Sequence, residues 1–135
     1  MAKACVLVVE DQPDFLELLK LVLEGEGYYV SAAEDGEKAI ELLTQFRPAA
    51  VVTDLMMPKV SGIDLIRHIR EKQELSKIPI IAASAAHSGS LNEAKRAGAN
   101  ETMKKPVDFD ELVKLLERYV PTHTPMSEAQ SGQSA

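Results

Sequence analysis

The chain is poor in several residues that carry common kinds of chemistry. It has one cysteine, no tryptophan, and only three tyrosines and three phenylalanines in 135 residues. A single cysteine excludes an internal disulfide. Cys5 also sits within an apolar run, where a small buried hydrophobe is expected rather than a nucleophile or redox centre. The three histidines, His68, His87 and His123, show no metal-ligand spacing. Basic residues are outnumbered, 15 Lys and Arg against 21 Asp and Glu, for a net charge of −6. That balance argues against a nucleic-acid footprint and against attraction to anionic membranes. Long apolar runs are missing too, and none approaches membrane-spanning length. Met1-Ala2-Lys3-Ala4 runs straight into the first apolar stretch and leaves no room for a signal peptide, so a cytoplasmic location is the default expectation.

What remains is ordinary for a folded domain: 45% hydrophobic and 27% charged residues, in a length that suits one core and is short for two. Apolar strand patterns alternate with amphipathic helix patterns about five times. Cys5–Val9 is a continuous apolar run of the kind buried on both faces of a parallel sheet. Pro13 suits a first helical turn. Phe15, Leu18, Leu19, Val22 and Leu23 then share a helical face, and Gly25-Glu26-Gly27 stops that helix. Tyr28–Ala33 reads as a second strand and Gly36 through Phe46 as a second helix, ended by Pro48. The run Ala49–Thr53 leads to Asp54. Ser61 is placed to cap a third helix, with Leu65, Ile66 and Ile69 inward and Asp64, Arg67 and His68 outward. Arg67 through Lys72 reads as an ordinary charged helix face. Pro79–Ala83 is a fourth strand ending at Ser84, followed by a loop of small residues, Ala85–Ser90, and a short helix, Leu91–Ala97. A fifth strand near Glu101–Met103 precedes Lys104-Lys105-Pro106. Asp108 is placed to cap a last helix with Phe109, Leu112, Val113, Leu116 and Tyr119 on its inner face. Residues 1–120 therefore form one α/β domain around a parallel sheet. Residues 121–135, rich in Ser, Gln and Ala, have almost nothing to bury and read as a disordered tail.

In an open parallel sheet, ligands bind beyond the carboxyl ends of the strands. This chain puts Glu10 and Asp11 after the first strand, Asp54 after the third, Ser84 after the fourth and Lys105 after the fifth. Clustered carboxylates raise one another's pKa unless a cation relieves them, and oxygen-only ligands select a hard ion such as Mg2+. With such an ion present, a carboxylate can attack phosphorus. Transfer then rests mainly on positioning and on neutralising the phosphoryl oxygens, for which Lys105 supplies a charge and Ser84 a hydrogen bond. Ala85 is small enough to leave the phosphorus open to in-line attack.

The acidic pair Glu10-Asp11, the segment Asp54-Leu55-Met56-Met57-Pro58 with Gly62, Ser84, and Lys105-Pro106 together resemble the receiver domain of two-component response regulators. The resemblance covers roughly residues 4–120. It implies a flavodoxin-like doubly wound fold with strand order 2-1-3-4-5 and five helices. By the same resemblance, Asp54 would take a phosphoryl group from a histidine kinase or histidine phosphotransfer protein. Asp11, Asp54 and the backbone carbonyl of Met56 would ligate Mg2+, with Glu10 contributing through water. Lys105, across a cis peptide to Pro106, would pair with the phosphate, and Ser84 would move inward to bond it. The resemblance further implies a switch acting through protein contacts, as a stand-alone receiver or as a piece of a larger regulator, and not a turnover enzyme. Two positions depart from the family pattern: Thr102 stands where an aromatic is usual, and Ser84 where threonine is commoner.

Taken singly, each residue has a plainer reading. Glu10 and Asp11 make an ordinary strand-end turn, Asp54 a loop cap, Lys105 a surface lysine, and the methionines loop packing. A hydrolase of the haloacid-dehalogenase type would need a second aspartate two residues after the nucleophile, and Met56 occupies that place. An adaptor that keeps the fold without phosphorylation is disfavoured by the complete pocket set. The ordered set, one member per strand end, carries the functional reading.

Overall fold

In the computed structural model, which describes residues 3–85 and 88–122, the strands are β1 (Cys5–Val9), β2 (Tyr29–Ala33), β3 (Ala50–Asp54), β4 (Ile80–Ser84) and β5 (Glu101–Lys104). The helices between and after them are α1 (Pro13–Gly25), α2 (Gly36–Leu43), α3 (Gly62–Glu71), α4 (Ser88–Ala97) and α5 (Phe109–Tyr119). The strands form one parallel sheet in the order β2-β1-β3-β4-β5. This is the flavodoxin-like topology expected from the sequence.

Side chains alternate across a strand, and the central strands are buried on both faces. Leu7, Val9, Val51, Ile80 and Ala82 pack on one side with Leu43, Leu65, Ile66, Ile69 and Ala94 of α2, α3 and α4. Val6, Val8, Val52, Ile81 and Met103 pack on the other with Leu19, Leu23, Leu112 and Leu116 of α1 and α5. That is why these strands read as continuous apolar runs. Helix starts follow the expected chemistry. Pro13 opens α1, Ser61 Oγ accepts the Asp64 N–H at 3.1 Å, and Asp108 Oδ1 accepts the Glu111 N–H at 3.2 Å.

The departures have local causes. Leu18 is 44% exposed, whereas Leu16 packs on the core. The inner line of α1 runs through Leu19 and Leu23, and Leu18 stands about 100° around the helix from Leu19. Helix α2 ends at Leu43 because Thr44 folds back, its hydroxyl donating to the Glu41 carbonyl, a competition typical of short hydroxyl side chains. Helix α4 begins at Ser88 rather than Leu91; first-turn N–H groups need no intrahelical partner, so the weak helix formers Gly89 and Ser90 are tolerated there. Leu115 joins the inner face of α5, and a short 3-10 turn, Gln73–Leu75, precedes β4. Cys5 is half-buried, and burial pushes its thiol pKa up, in keeping with an inert role. His87, His123 and the expected tail from residue 123 onward lie outside the described residues.

Candidate functional site

Register brings the strand ends level. Val9 lies beside Thr53, Asp54 beside Ala83, and Ser84 beside Lys104. Glu10, Asp11, Asp54 and Lys105 therefore gather at one rim, where the connections from β1 and β3 diverge to opposite faces of the sheet. Oxygen atoms of Glu10, Asp11 and Asp54 lie within 4.8 Å of one another. A groove of about 330 Å3, lined by Asp11, Gln12, Asp54, Met56, Ala85 and Lys105, opens over them.

Asp54, 8% exposed, is held by its own turn. Its Oδ1 accepts the Leu55 N–H at 2.8 Å and, more loosely, the Met56 N–H at 3.4 Å. Its Oδ2 lies 3.4 Å from Lys105 Nζ. The turn closes through Gly62, whose N–H donates to the Leu55 carbonyl at 3.0 Å. A Cβ at residue 62 would stand 2.2 Å from the Asp54 carbonyl oxygen and 2.7 Å from Leu55 Cα, so only glycine lets α3 start this close to the strand end.

Glu10 is 2% exposed. Its Oε1 accepts from Lys105 Nζ at 2.9 Å and its Oε2 from the Gln12 N–H at 3.1 Å. Burial pushes the Glu10 pKa above the usual carboxylate value, and the bonds from Lys105 and Gln12 offset this only in part. For Lys105, burial by itself pulls the ammonium pKa down. The hydrogen bond to Glu10 and the charges of Asp54 and Glu10 outweigh it and leave the pKa raised. Among the described residues the rim thus sets three carboxylates against one ammonium. Hard oxygen donors with excess negative charge match the requirements of a small divalent cation, and Glu10, Asp11 and Asp54 fit Mg2+ by donor type and spacing.

The remaining predicted residues fall into distinct places. Ser84 is fully buried and is not among the groove-lining residues; its neighbour Ala85 is. Met56 is 65% exposed, so its side chain borders the groove in addition to any role of its carbonyl. The Lys105–Pro106 bond is cis, and Lys104 is exposed. Thr102 is half-buried on β5.

Two residues do more than the sequence suggests. Phe15 packs on the core as expected, and its ring also lies under the Lys105 ammonium at 4.9 Å. Arg70 reads as part of an ordinary charged helix face, yet all its N–H groups bond to carbonyl oxygens around the amino ends of β4 and β5. Helical spacing offered a signal for Arg70, since it lies beside Ile66 and Ile69 on the buried side. For Phe15 the sequence carried none, because its partner is 90 positions away.

The response regulator receiver domain family matches this chain over residues 6–117. The chain belongs to this family. An uncharacterized 14.6 kDa protein of Leptolyngbya boryana is 38% identical over 120 residues, covering 88% of this chain and 92% of the relative. The response regulator MprA of Mycolicibacterium vanbaalenii is 35% identical over 131 residues, covering 96% of this chain. The receiver spans only 55% of that relative's length. Among solved structures, the receiver domain of the Pseudomonas aeruginosa sensor histidine kinase PA1611 has a magnesium ion coordinated in its active-site cleft. It superposes with a TM-score of 0.81 at 31% identity, over 87% of this chain and 98% of that one. Receiver domains are signalling switches that bind Mg2+ at such an acidic pocket. No helix of the described residues is long and apolar enough to cross a membrane.

Proposed function

We propose that Asp54 of this receiver accepts a phosphoryl group from the phosphohistidine of a histidine kinase or histidine phosphotransfer protein. The carrying observation is its position: a nearly buried carboxylate at a strand end, between the acidic pair and Lys105. A carboxylate oxygen of Asp54 forms the new O–P bond as the P–N bond to the donor imidazole breaks, and the imidazole leaves with the bonding electron pair. The backbone N–H groups of Leu55 and Met56 fix the carboxylate so that it need not reorient during the reaction. Lys105, already beside Asp54, neutralises one phosphoryl oxygen.

Glu10, Asp11, Asp54 and the Met56 carbonyl would hold Mg2+, with Glu10 acting through water. The ion, when bound, neutralises the phosphoryl oxygens and relieves carboxylate repulsion. Ala85 leaves the approach to Asp54 open. Ser84, one residue back on β4, would move to bond a phosphoryl oxygen. Because Thr102 replaces the aromatic usual in the family, this motion carries the response toward α4 and a downstream protein partner. The product is a signalling state, with no substrate turned over beyond self-dephosphorylation.

Incubation with acetyl phosphate and Mg2+ should add one acid-stable, alkali-labile phosphoryl group by intact-mass spectrometry. Asp54→Asn should abolish the adduct. An absent adduct on the wild type, or an undiminished one on the variant, overturns the proposal.

A further inference from the structure

Three groups surround the Lys105 ammonium. Glu10 Oε1 lies at 2.9 Å and Asp54 Oδ2 at 3.4 Å, and the centroid of the Phe15 ring lies at 4.9 Å. A cation within about 6 Å of an aromatic face is attracted by the ring quadrupole, more strongly where water is excluded. Lys105 is mostly buried. The ring is itself fixed, with Phe109 at 6.1 Å between centroids and 34° between planes. Phe15 from α1 and Phe109 from α5 thus form an aromatic floor beneath the rim. The void beside it, lined by Glu10, Phe15, Asp54 and Lys105 among others, is only about 10 Å3, so the packed side gives the ammonium no retreat and its freedom is toward the groove above.

The three attractions differ in kind. Glu10 and Asp54 belong to the acidic cluster and are the groups a bound cation or phosphoryl group would engage. A cation there would also repel the ammonium. The Phe15 ring carries no charge and offers no ligand atom, so its attraction persists when the carboxylates turn elsewhere. We propose that Phe15 is a positioning residue for phosphoryl transfer: its ring face keeps the Lys105 ammonium in the pocket while Glu10 and Asp54 are otherwise engaged. This inference rests on Asp54 being the phosphoacceptor.

The test combines proton NMR of Lys105 with phosphorylation by acetyl phosphate. Ring current should shift the Lys105 ε-methylene protons upfield in the metal-free protein, and the shift should persist on adding Mg2+. Phe15→Leu should return them to the position of an unshielded lysine and slow phosphorylation about three- to tenfold. Phe15→Tyr should preserve both properties. In a Lys105→Met background, Phe15→Leu should cause no further slowing, because the group it positions is gone. An unshielded Lys105 in the wild type overturns the proposal, as does equal slowing by Phe15→Leu in both backgrounds, which would mark the ring as packing alone. If Phe15→Leu fails to fold, the wild-type shift and Phe15→Tyr decide the matter. If the wild type takes up no phosphoryl group, the phosphoacceptor reading fails, while the Lys105 shift still tests the contact.

Discussion

Lys105 and Arg70 are both withdrawn from water, one at the carboxyl edge of the sheet and the other at the amino edge, and they are treated in opposite ways. The Arg70 guanidinium has five N–H groups, and each finds an oxygen. Nε bonds the Gly98 carbonyl at 3.0 Å, Nη1 the Ser76 and Ile78 carbonyls at 3.0 and 2.7 Å, and Nη2 the Gly98 carbonyl and Asn100 Oδ1 at 2.8 and 2.9 Å. Asn100 Oδ1 also accepts the Ile80 N–H at 2.7 Å. Among the described residues no carboxylate takes part, and burial lowers the Arg70 pKa. The hydrogen bonding is complete although no described carboxylate pairs with the charge. Lys105 has the reverse arrangement: among the described residues its single charge faces three carboxylates. A polar cluster with every donor matched fixes structure, and one with a charge imbalance is prepared for a ligand.

Arg70→Ala should do the most to break this contrast. It strands several carbonyls at the ends of α4, the 3-10 turn and the loop before β5, and should cost about 3 kcal/mol in urea unfolding. Phosphorylation of the folded fraction should keep the wild-type rate, because no rim residue depends on Arg70. A large rate loss would mean that the two ends are coupled.

Asp54→Asn should act in the opposite sense. The amide oxygen can still accept the Leu55 N–H, Lys105 retains Glu10 at 2.9 Å, and one of three close carboxylates is neutralised. Stability without metal should rise by about 1 kcal/mol. The wild type should gain about 2.7 kcal/mol when free Mg2+ stands at a hundred times its dissociation constant, and the variant should gain far less. Thermal melts with and without Mg2+ measure both effects; a destabilised variant that still responds fully to Mg2+ would contradict the charge argument.

The smallest effect belongs to Tyr28, another matched group, whose buried hydroxyl donates to the Val120 carbonyl at 2.7 Å. Tyr28→Phe should cost about 1 kcal/mol at neutral pH. Burial, with the nearby charges of Glu117 and Glu26, raises the Tyr28 pKa from 10.0 to about 12. The unfolded chain ionises near the lower value and the native state resists until the higher one. The contribution of Tyr28 is therefore complete below pH 10 and lost as pH rises toward 12. The stability gap between wild type and variant should close across that window, and a constant gap would contradict the assignment.

Much of the fold was legible because its signals are local. Continuous apolar runs mark the central strands, Ser61 and Asp108 mark helix starts, and a parallel sheet brings the strand-end residues Glu10, Asp11, Asp54 and Lys105 to one edge. What escaped depended on partners distant in sequence or on subtle balances along a helix. The exposure of Leu18 follows from how α1 rolls on the sheet, and the early end of α2 from one hydroxyl. The roles of Phe15 and Arg70 appear only when β5 and the segment before it are brought alongside. An arginine in a charged run gives little sign that five oxygens await it.

Whether Asp54 itself carries the phosphoryl group is read most directly by chemical trapping. After treatment with acetyl phosphate and Mg2+, borohydride reduction converts an aspartyl phosphate to homoserine, and peptide mass spectrometry locates it. Homoserine at position 54 and at no other carboxylate is the expected result. Homoserine at Asp11 or another aspartate, or hydroxynorvaline at Glu10 or another glutamate, with position 54 unmodified, or no reduced residue anywhere, would overturn this assignment.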